Sequence, residues 1–214
     1  MNTIRLSQVL PHVFQNSSHL ESDIWNKEVT LEKGKVYLIE ASSGTGKSSL
    51  CSYLSGYRND YSGQICFDEQ DTRQFGIKEW TDIRSRRVSH LFQDLRLFPE
   101  LTAYENIEIK NKLTHYKSEK QIDEWLDYLG IADKRNTLVG RMSFGQQQRV
   151  AMIRALVQPF DFLLADEPIS HLDEENAQRM GEIMMSEVKH QQAGAILTSI
   201  GNQIQLPYDN VFHL

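Results

Sequence analysis

The chain has 214 residues, 40% of them hydrophobic and 24% charged, which allows one large domain or a core with a subdomain. Its 23 basic and 29 acidic side chains leave a net charge of −6, which argues against a general nucleic-acid coat, and no nucleic-acid partner is expected. No apolar run approaches the roughly 18 residues of a membrane span, and residues 1–7 lack the apolar core of a signal peptide, so work at a membrane calls for a separate membrane partner. Cys51 and Cys66 show no metal-ligand spacing and fit a reducing cytosol.

Residues 1–40 read as short strands. Ile4 and Leu6 alternate with polar neighbours, Val9 with Leu10 and Val13 with Phe14 follow, and residues 23–31 form a further candidate before a turn at Glu32-Lys33-Gly34. An antiparallel sheet leading into the apolar strand Val36-Tyr37-Leu38-Ile39 is expected. Next come Ala41-Ser42-Ser43-Gly44-Thr45-Gly46-Lys47-Ser48 and a helical run, Ser48-Ser49-Leu50-Cys51-Ser52-Tyr53-Leu54. Strand, glycine-bearing loop and helix form the context of a phosphate-binding loop. Gly44 and Gly46 let the backbone curl so that N–H groups face phosphate oxygens, and the helix adds its positive end. Lys47 can reach the β- and γ-phosphates, and the Ser48 hydroxyl can ligate Mg²⁺. Ala41 stands where the pattern has its first glycine, a change costing about 1 kcal/mol or more only if the position needs positive φ. Phe14 either stacks on a nucleotide base or belongs to the core.

Residues 62–68 read as a turn and strand, and 71–87 as charged and partly helical. Residues 88–93 read as a strand ending in Gln93. The loop 94–101 carries several apolar side chains, which either dock onto a partner or cover the domain's own core. Thr102-Ala103-Tyr104-Glu105 and Ser118-Glu119-Lys120-Gln121 match capping boxes opening two helices within 102–131. The second places Ile122, Leu126 and Leu129 on one stripe and ends at Gly130. Ser143 can cap a helix whose apolar face holds Val150, Ile153, Leu156 and Val157. Phe162 to Ala165 reads as a buried parallel strand delivering Asp166 and Glu167 at its carboxyl end, where ligands sit. Asp166 is placed to hold Mg²⁺ through water, and Glu167 to orient or deprotonate an attacking water. A helix to about His190, a strand at 195–199 and a last short strand at 208–214 complete the chain.

The segment Met142-Ser143-Phe144-Gly145-Gln146-Gln147-Gln148-Arg149 resembles the signature of ABC-transporter ATPases. With Gln93, Leu163-Leu164-Ala165-Asp166-Glu167-Pro168 and His171-Leu172-Asp173, the order and spacing are similar to that family along nearly the whole chain. The stretch from Gln93 through Ile107 looks most like the lipoprotein-release, macrolide-export and cell-division branch. The resemblance implies an α/β P-loop NTPase fold over residues 1–214. Its mainly parallel core sheet would be flanked by helices, with an N-terminal antiparallel β subdomain. Residues 1–94 and 155–214 would form the nucleotide-binding core, and 95–154 an inserted helical signature subdomain. It implies two cassettes, homodimeric or heterodimeric, sandwiching two ATP molecules head to tail. Residues 41–49, with Phe14 as a possible base stack, would bind ATP in one chain. Met142, Ser143, Phe144, Gly145 and Gln146 would face the partner's ATP. Lys47, Gln93 and Glu167 would be catalytic; Ser48, Gln93 and Asp166 would serve Mg²⁺; Asp173 would couple the two sites. A membrane permease would dock near residues 93–101, holding the chain on the cytoplasmic face of the membrane.

Two departures bear on activity. Ser199 stands where the family usually has a histidine contacting the γ-phosphate, a loss typically worth roughly 10²–10³ in rate, so slow turnover is expected. Phe144 replaces the first signature glycine. Relatives commonly continue past this point with a hairpin strand and helix, so no appended regulatory domain is expected within these 214 residues. Three readings follow: a slow transporter ATPase, a cassette that uses ATP as a dimerisation switch, and a soluble non-transport cassette protein.

Overall fold

A computed structural model describes residues 1–16, 21–42, 44–169, 172–201 and 206–214; Ser43, Ser170 and His171 lie outside them. The elements in chain order begin with β1 (Thr3–Pro11), β2 (Glu28–Glu32), β3 (Val36–Glu40), α1 (Lys47–Leu54), β4 (Tyr61–Phe67) and β5 (Gln70–Asp71). Then come α2 (Ile77–Arg86), β6 (Val88–Leu91), α3 (Ala103–Asn111), α4 (Glu119–Tyr128) and α5 (Phe144–Leu156). The chain closes with β7 (Phe162–Asp166), α6 (Glu174–His190), β8 (Gly194–Ser199) and β9 (Asn210–His213). An antiparallel sheet runs β2-β1-β4-β5, and a parallel sheet runs β6-β7-β8-β3-β9. The fold is that of an α/β protein with both sheet types, as expected.

The period of two along a strand sorts the parallel sheet into two faces. Leu38, Leu163, Ala165, Ala195 and Leu197 pack with α3, α5 and α6 in one cluster. Tyr37, Ile39, Phe162, Leu164 and Ile196 pack with α1 and the antiparallel sheet in another. With both faces covered, β7 is buried at every position, which is why its sequence is a continuous apolar run ending in an acid. Val150, Ile153 and Leu156 on α5, and Val157 just past its end, are all fully buried, so this helix rests on the sheet and the helical segment shares the sheet's core. A buried ion pair, Lys117 Nζ to Glu187 at 2.7 Å, adds a polar link between that segment and α6. Both capping boxes exist, at Thr102/Glu105 and Ser118/Gln121, and a third forms at Ser143/Gln146.

Four local expectations are corrected. Residues 23–27 are not strand. Ile24 and Trp25 accept neighbours' support through the Ser22 hydroxyl, to which both backbone N–H groups donate, and their side chains are buried. Pairing with β1 begins only at Glu28. The separate pieces at Ile4–Leu6 and Val9–Leu10 are one strand, β1, whose register shifts between Ser7 and Leu10 with Gln8 in the left-handed region. Val13 and Phe14 lie in a 3₁₀ turn, His12–Phe14, rather than a strand. Finally, β6 stops at Leu91, so Gln93 sits in the turn beyond it.

His90, on β6, is enclosed: Ser55 Oγ lies 2.9 Å from its Nδ1, and its Nε2 is buried without a partner among the described residues. Burial, helped by Arg96 and Lys110, pushes its pKa down to about 3. A folded pKa below the unfolded value means the unfolded chain takes up the proton first, so stability is lost as pH falls below about 6.5. At pH 5.5 this should cost about 1.4 kcal/mol. Urea melts of the His90→Phe chain, compared with the parent at pH 7.5 and 5.5, should show that part of the slope gone; equal slopes would contradict it.

Candidate functional site

The loop between β3 and α1 is built by its glycines. Gly44 has φ 86° and Gly46 φ 103°, and Gly46 is the N-cap of α1. A Cβ on Gly46 would also meet Phe14 and Trp25 carbons at 3.1 Å, so this position is closed to side chains on both counts. Ala41 is not in the left-handed region, which makes its replacement of glycine mild. Thr45 Oγ1 donates to Ser42 O at 2.9 Å, cross-bracing the loop. Ser48 is exposed in the first turn of α1, whereas the Ser49 hydroxyl accepts from Arg58.

Lys47 is 6% exposed. Its ammonium donates to Ala41 O at 3.0 Å and Ser42 O at 3.1 Å, and lies 3.7 Å from Glu167 Oε1. Glu167 Oε2 accepts from Gln93 Nε2 at 3.1 Å. Three of the sequence's candidates, Lys47, Gln93 and Glu167, thus form one hydrogen-bonded and ion-paired set drawn from three separate segments. Asp166 is buried at the end of β7 and accepts from Thr198 Oγ1 at 2.6 Å. Glu167, the next residue, has φ 50°, a costly conformation for a residue with a side chain, and its N–H donates to the same Thr198 oxygen at 3.1 Å.

The donors suit a hard cation. Ser48 Oγ, the Gln93 carbonyl oxygen and Asp166 could each offer oxygen to such an ion, and the Gln93 amide nitrogen is already turned to Glu167. No group of three or more His, Cys, Asp or Glu able to hold a metal occurs among the described residues. A single carboxylate with a hydroxyl fits Mg²⁺, which keeps several waters and takes its remaining ligands from phosphates.

Ser143 caps α5: its hydroxyl accepts from Gln146 N, and its own N–H donates to Gln146 Oε1. Ser143 and Phe144 are exposed there, and the Gly145 carbonyl accepts from Arg149 Nε. Met142 is 6% exposed and packs in the core, so only its backbone faces the helix start. No hydrogen bond between described residues joins Ser143 or Gly145 to Lys47; the signature forms a second, separate patch. Two side chains of α5 reach the segment after Glu167. Gln148 Nε2 donates to Pro168 O at 2.7 Å, and Arg149 donates to Asn176 Oδ1 at 2.8 Å. Asn176 in turn donates through both its backbone and side chain to Asp173, the N-cap of α6. Those bonds hold the Asp173 carboxyl below its ordinary range.

Trp25 and Thr198 were not singled out in the sequence. Trp25 Nε1 donates to Thr45 O at 3.0 Å, fixing the loop from outside. The signal was present in part, because a buried indole needs an acceptor. Phe14 is half-buried, packs on the core cluster and touches the space beside Gly46, so it borders the loop through the core.

Residues 25–170 match the family described as ABC transporter, about two thirds of the chain. The chain belongs to the ABC transporter family. The cassette is 34% identical over 163 residues to ABC transporter ATP-binding protein YtrE of Bacillus subtilis, covering 74% of this chain and 71% of that one. It is 31% identical over 187 residues to lipoprotein-releasing system ATP-binding protein LolD 1 of Chlorobium chlorochromatii, covering 85% and 76%. Methionine import ATP-binding protein MetN 1 of Listeria monocytogenes is also 31% identical, but the cassette spans only 54% of its length. Among solved structures, the dimeric ABC transporter cassette MJ0796 superposes with a TM-score of 0.77 at 25% identity, over 91% of this chain and 87% of that one. A post-hydrolysis dimer of the same protein, bound to ADP and Pi, shares the fold with a TM-score of 0.75 at 24% identity.

Proposed function

We propose that this cassette binds MgATP and hydrolyses it slowly, as one half of a head-to-tail pair that drives a membrane transporter. The observation that carries the reading is the convergence of Lys47, Gln93 and Glu167 beneath the glycine loop. Phosphate oxygens can take over the Lys47 donors now given to Ala41 and Ser42, and the loop N–H groups at the start of α1 face the same charge. Ser48, Asp166 and Gln93 would hold Mg²⁺, which supplies charge neutralisation at the phosphates. Glu167, released from Lys47, would orient and deprotonate the water. Residues 41, 42, 44, 45, 46 and 49 line the loop as nucleotide contacts; Ser43 belongs to the same proposal. Ser143, Phe144, Gly145 and Gln146 would meet the partner's ATP, Met142 through its backbone only. Gln148 and Arg149 would carry that contact back toward Glu167 and Asp173. The reading is tested by steady-state hydrolysis with Mg²⁺, which should exceed that of Glu167→Gln.

Slow turnover rests on Ser199, at the carboxyl end of β8, one strand from the loop: its carbonyl accepts from Ala41 N. A serine side chain is too short to supply an imidazole's contact. Ser199→His should raise kcat by about 10-fold or more, since one transition-state contact is worth roughly 10²–10³. An unchanged rate measured in single-turnover format would contradict this. The same serine, with Phe144 at the first position of α5, supports the second reading of a cassette that switches by dimerising on ATP.

The membrane partner would dock around residues 93–101. Leu95 of this loop is buried in the core, but Phe98 is 51% exposed. In the same loop Arg96, ion-paired with Asp94, lies over Tyr57 and Phe92, Arg84 also lies over Tyr57, and Arg154 donates to the carbonyls of Leu95 and Arg96. Burial and the neighbouring Arg154 and Arg84 lower the Lys110 pKa to about 8. The exposed rings of Tyr57 and Phe98, with the Arg96–Asp94 pair between the loop and solvent, would suit a partner segment. No helix among the described residues is long and apolar enough to cross a membrane, so the cassette would sit on the cytoplasmic face through that partner.

A further inference from the structure

Thr198 stands opposite Asp166 in the β7–β8 register. Its hydroxyl has one proton, donated to Asp166 Oδ1 at 2.6 Å, and its oxygen accepts the Glu167 N–H at 3.1 Å. The side chain is 1% exposed, so both bonds are made away from water, where they are strengthened. One oxygen therefore holds two consecutive acids, one by its carboxylate and the other by its backbone.

The second bond falls where the chain is strained. Glu167 lies at φ 50°, a left-handed conformation disfavoured for any residue with a Cβ. Such conformations persist where surrounding contacts over-determine them. The two carboxylate oxygens of Glu167 are held by Gln93 and Lys47, which are the groups expected to move onto the nucleotide. The Thr198 bond to the backbone does not depend on either.

We infer that Thr198 is a positioning residue for hydrolysis: its hydroxyl sets the Asp166 carboxylate toward the metal and holds the left-handed turn that aims Glu167 at the water. The inference rests on the hydrolytic reading above. It distinguishes the hydroxyl from the methyl, because the methyl contributes packing that valine reproduces.

The test compares Thr198→Val, Thr198→Ser and the parent cassette. Three quantities are read: kcat, KM for ATP, and the Mg²⁺ concentration giving half-maximal binding of a fluorescent ATP analogue. Thr198→Val should lower kcat by about 10–100-fold, the usual cost of losing a group that orients a metal ligand. With Mg²⁺ held at saturation, KM should stay within about twofold, because the weaker metal affinity is then compensated and the remaining loss falls on the transition state. The half-maximal Mg²⁺ concentration should rise by about 10-fold. Thr198→Ser should keep kcat within about threefold of the parent, since it retains the hydroxyl. Parent-like kcat and Mg²⁺ dependence in Thr198→Val would overturn the inference, as would equal impairment of Thr198→Ser and Thr198→Val. Should Thr198→Val fail to fold, Thr198→Ala against Thr198→Ser makes the same comparison. If the parent itself shows no turnover above Glu167→Gln, the hydrolytic reading fails, and the Mg²⁺ titration still decides whether the Thr198 hydroxyl orients Asp166.

Discussion

Lys47→Ala is expected to weaken ATP binding by roughly 10²-fold or more. The ammonium donates to two loop carbonyls, within 3.1 Å of each. Hydrogen bonds to charged groups are worth about 1.5–3 kcal/mol each, and phosphate would receive at least one such bond together with the charge. The loss does not end there. Glu167 sits 3.7 Å from the ammonium in a buried setting, and the alanine chain leaves that carboxylate without its ammonium partner as the triphosphate approaches. Repulsion therefore adds to the missing attraction. Isothermal titration with MgATP checks this, alongside a melt showing that the variant folds. Unchanged affinity would remove the phosphate-loop assignment.

Glu167→Gln is expected to lower kcat by about 10²–10⁴-fold, the range for losing a positioned general base, while ATP binding persists or tightens. The amide oxygen of the replacement can still accept from Gln93 Nε2, so the geometry at the end of β7 is kept. The chemistry is not, because an amide cannot take the proton of an attacking water. Removing a negative charge from beside the phosphates also relieves repulsion, which is why binding should not suffer. Single-turnover hydrolysis gives the rate, and titration gives the affinity. Parent-like turnover would mean that another group activates the water.

Much of this was legible in the chain because local rules and the fold agree. The glycine loop could be read from Gly44, Gly46 and Lys47, since few loops other than a phosphate cradle need that backbone between a strand and a helix. β7 could be read because a strand buried on both faces has to be apolar throughout, and Asp166 and Glu167 then mark its end. The two expected capping boxes, and the Ser143 cap, lie within four residues each and involve no distant partner. What could not be read depends on tertiary neighbours. Trp25 looked like part of a strand because aromatics favour strands; its indole instead reaches Thr45 across the fold. The left-handed Glu167 and its support from Thr198, 31 residues on, follow from strand order. Strand order itself, β6-β7-β8-β3-β9, is set by crossovers that periodicity does not encode. The apolar loop after Gln93 divides between core and surface at single residues, Leu95 inside and Phe98 outside, and composition alone offers no such division.

The central claim is that ATP is shared between the loop of one cassette and the signature of another. Among the described residues, α5 reaches the segment that follows Glu167 through Gln148 to Pro168 and Arg149 to Asn176. The most direct test is the mass of the Glu167→Gln cassette by analytical ultracentrifugation with and without saturating MgATP. The account predicts a dimer that forms with ATP and is lost when Ser143 is also replaced by arginine. A cassette that binds ATP tightly yet keeps the same mass at every protein concentration tested would contradict it.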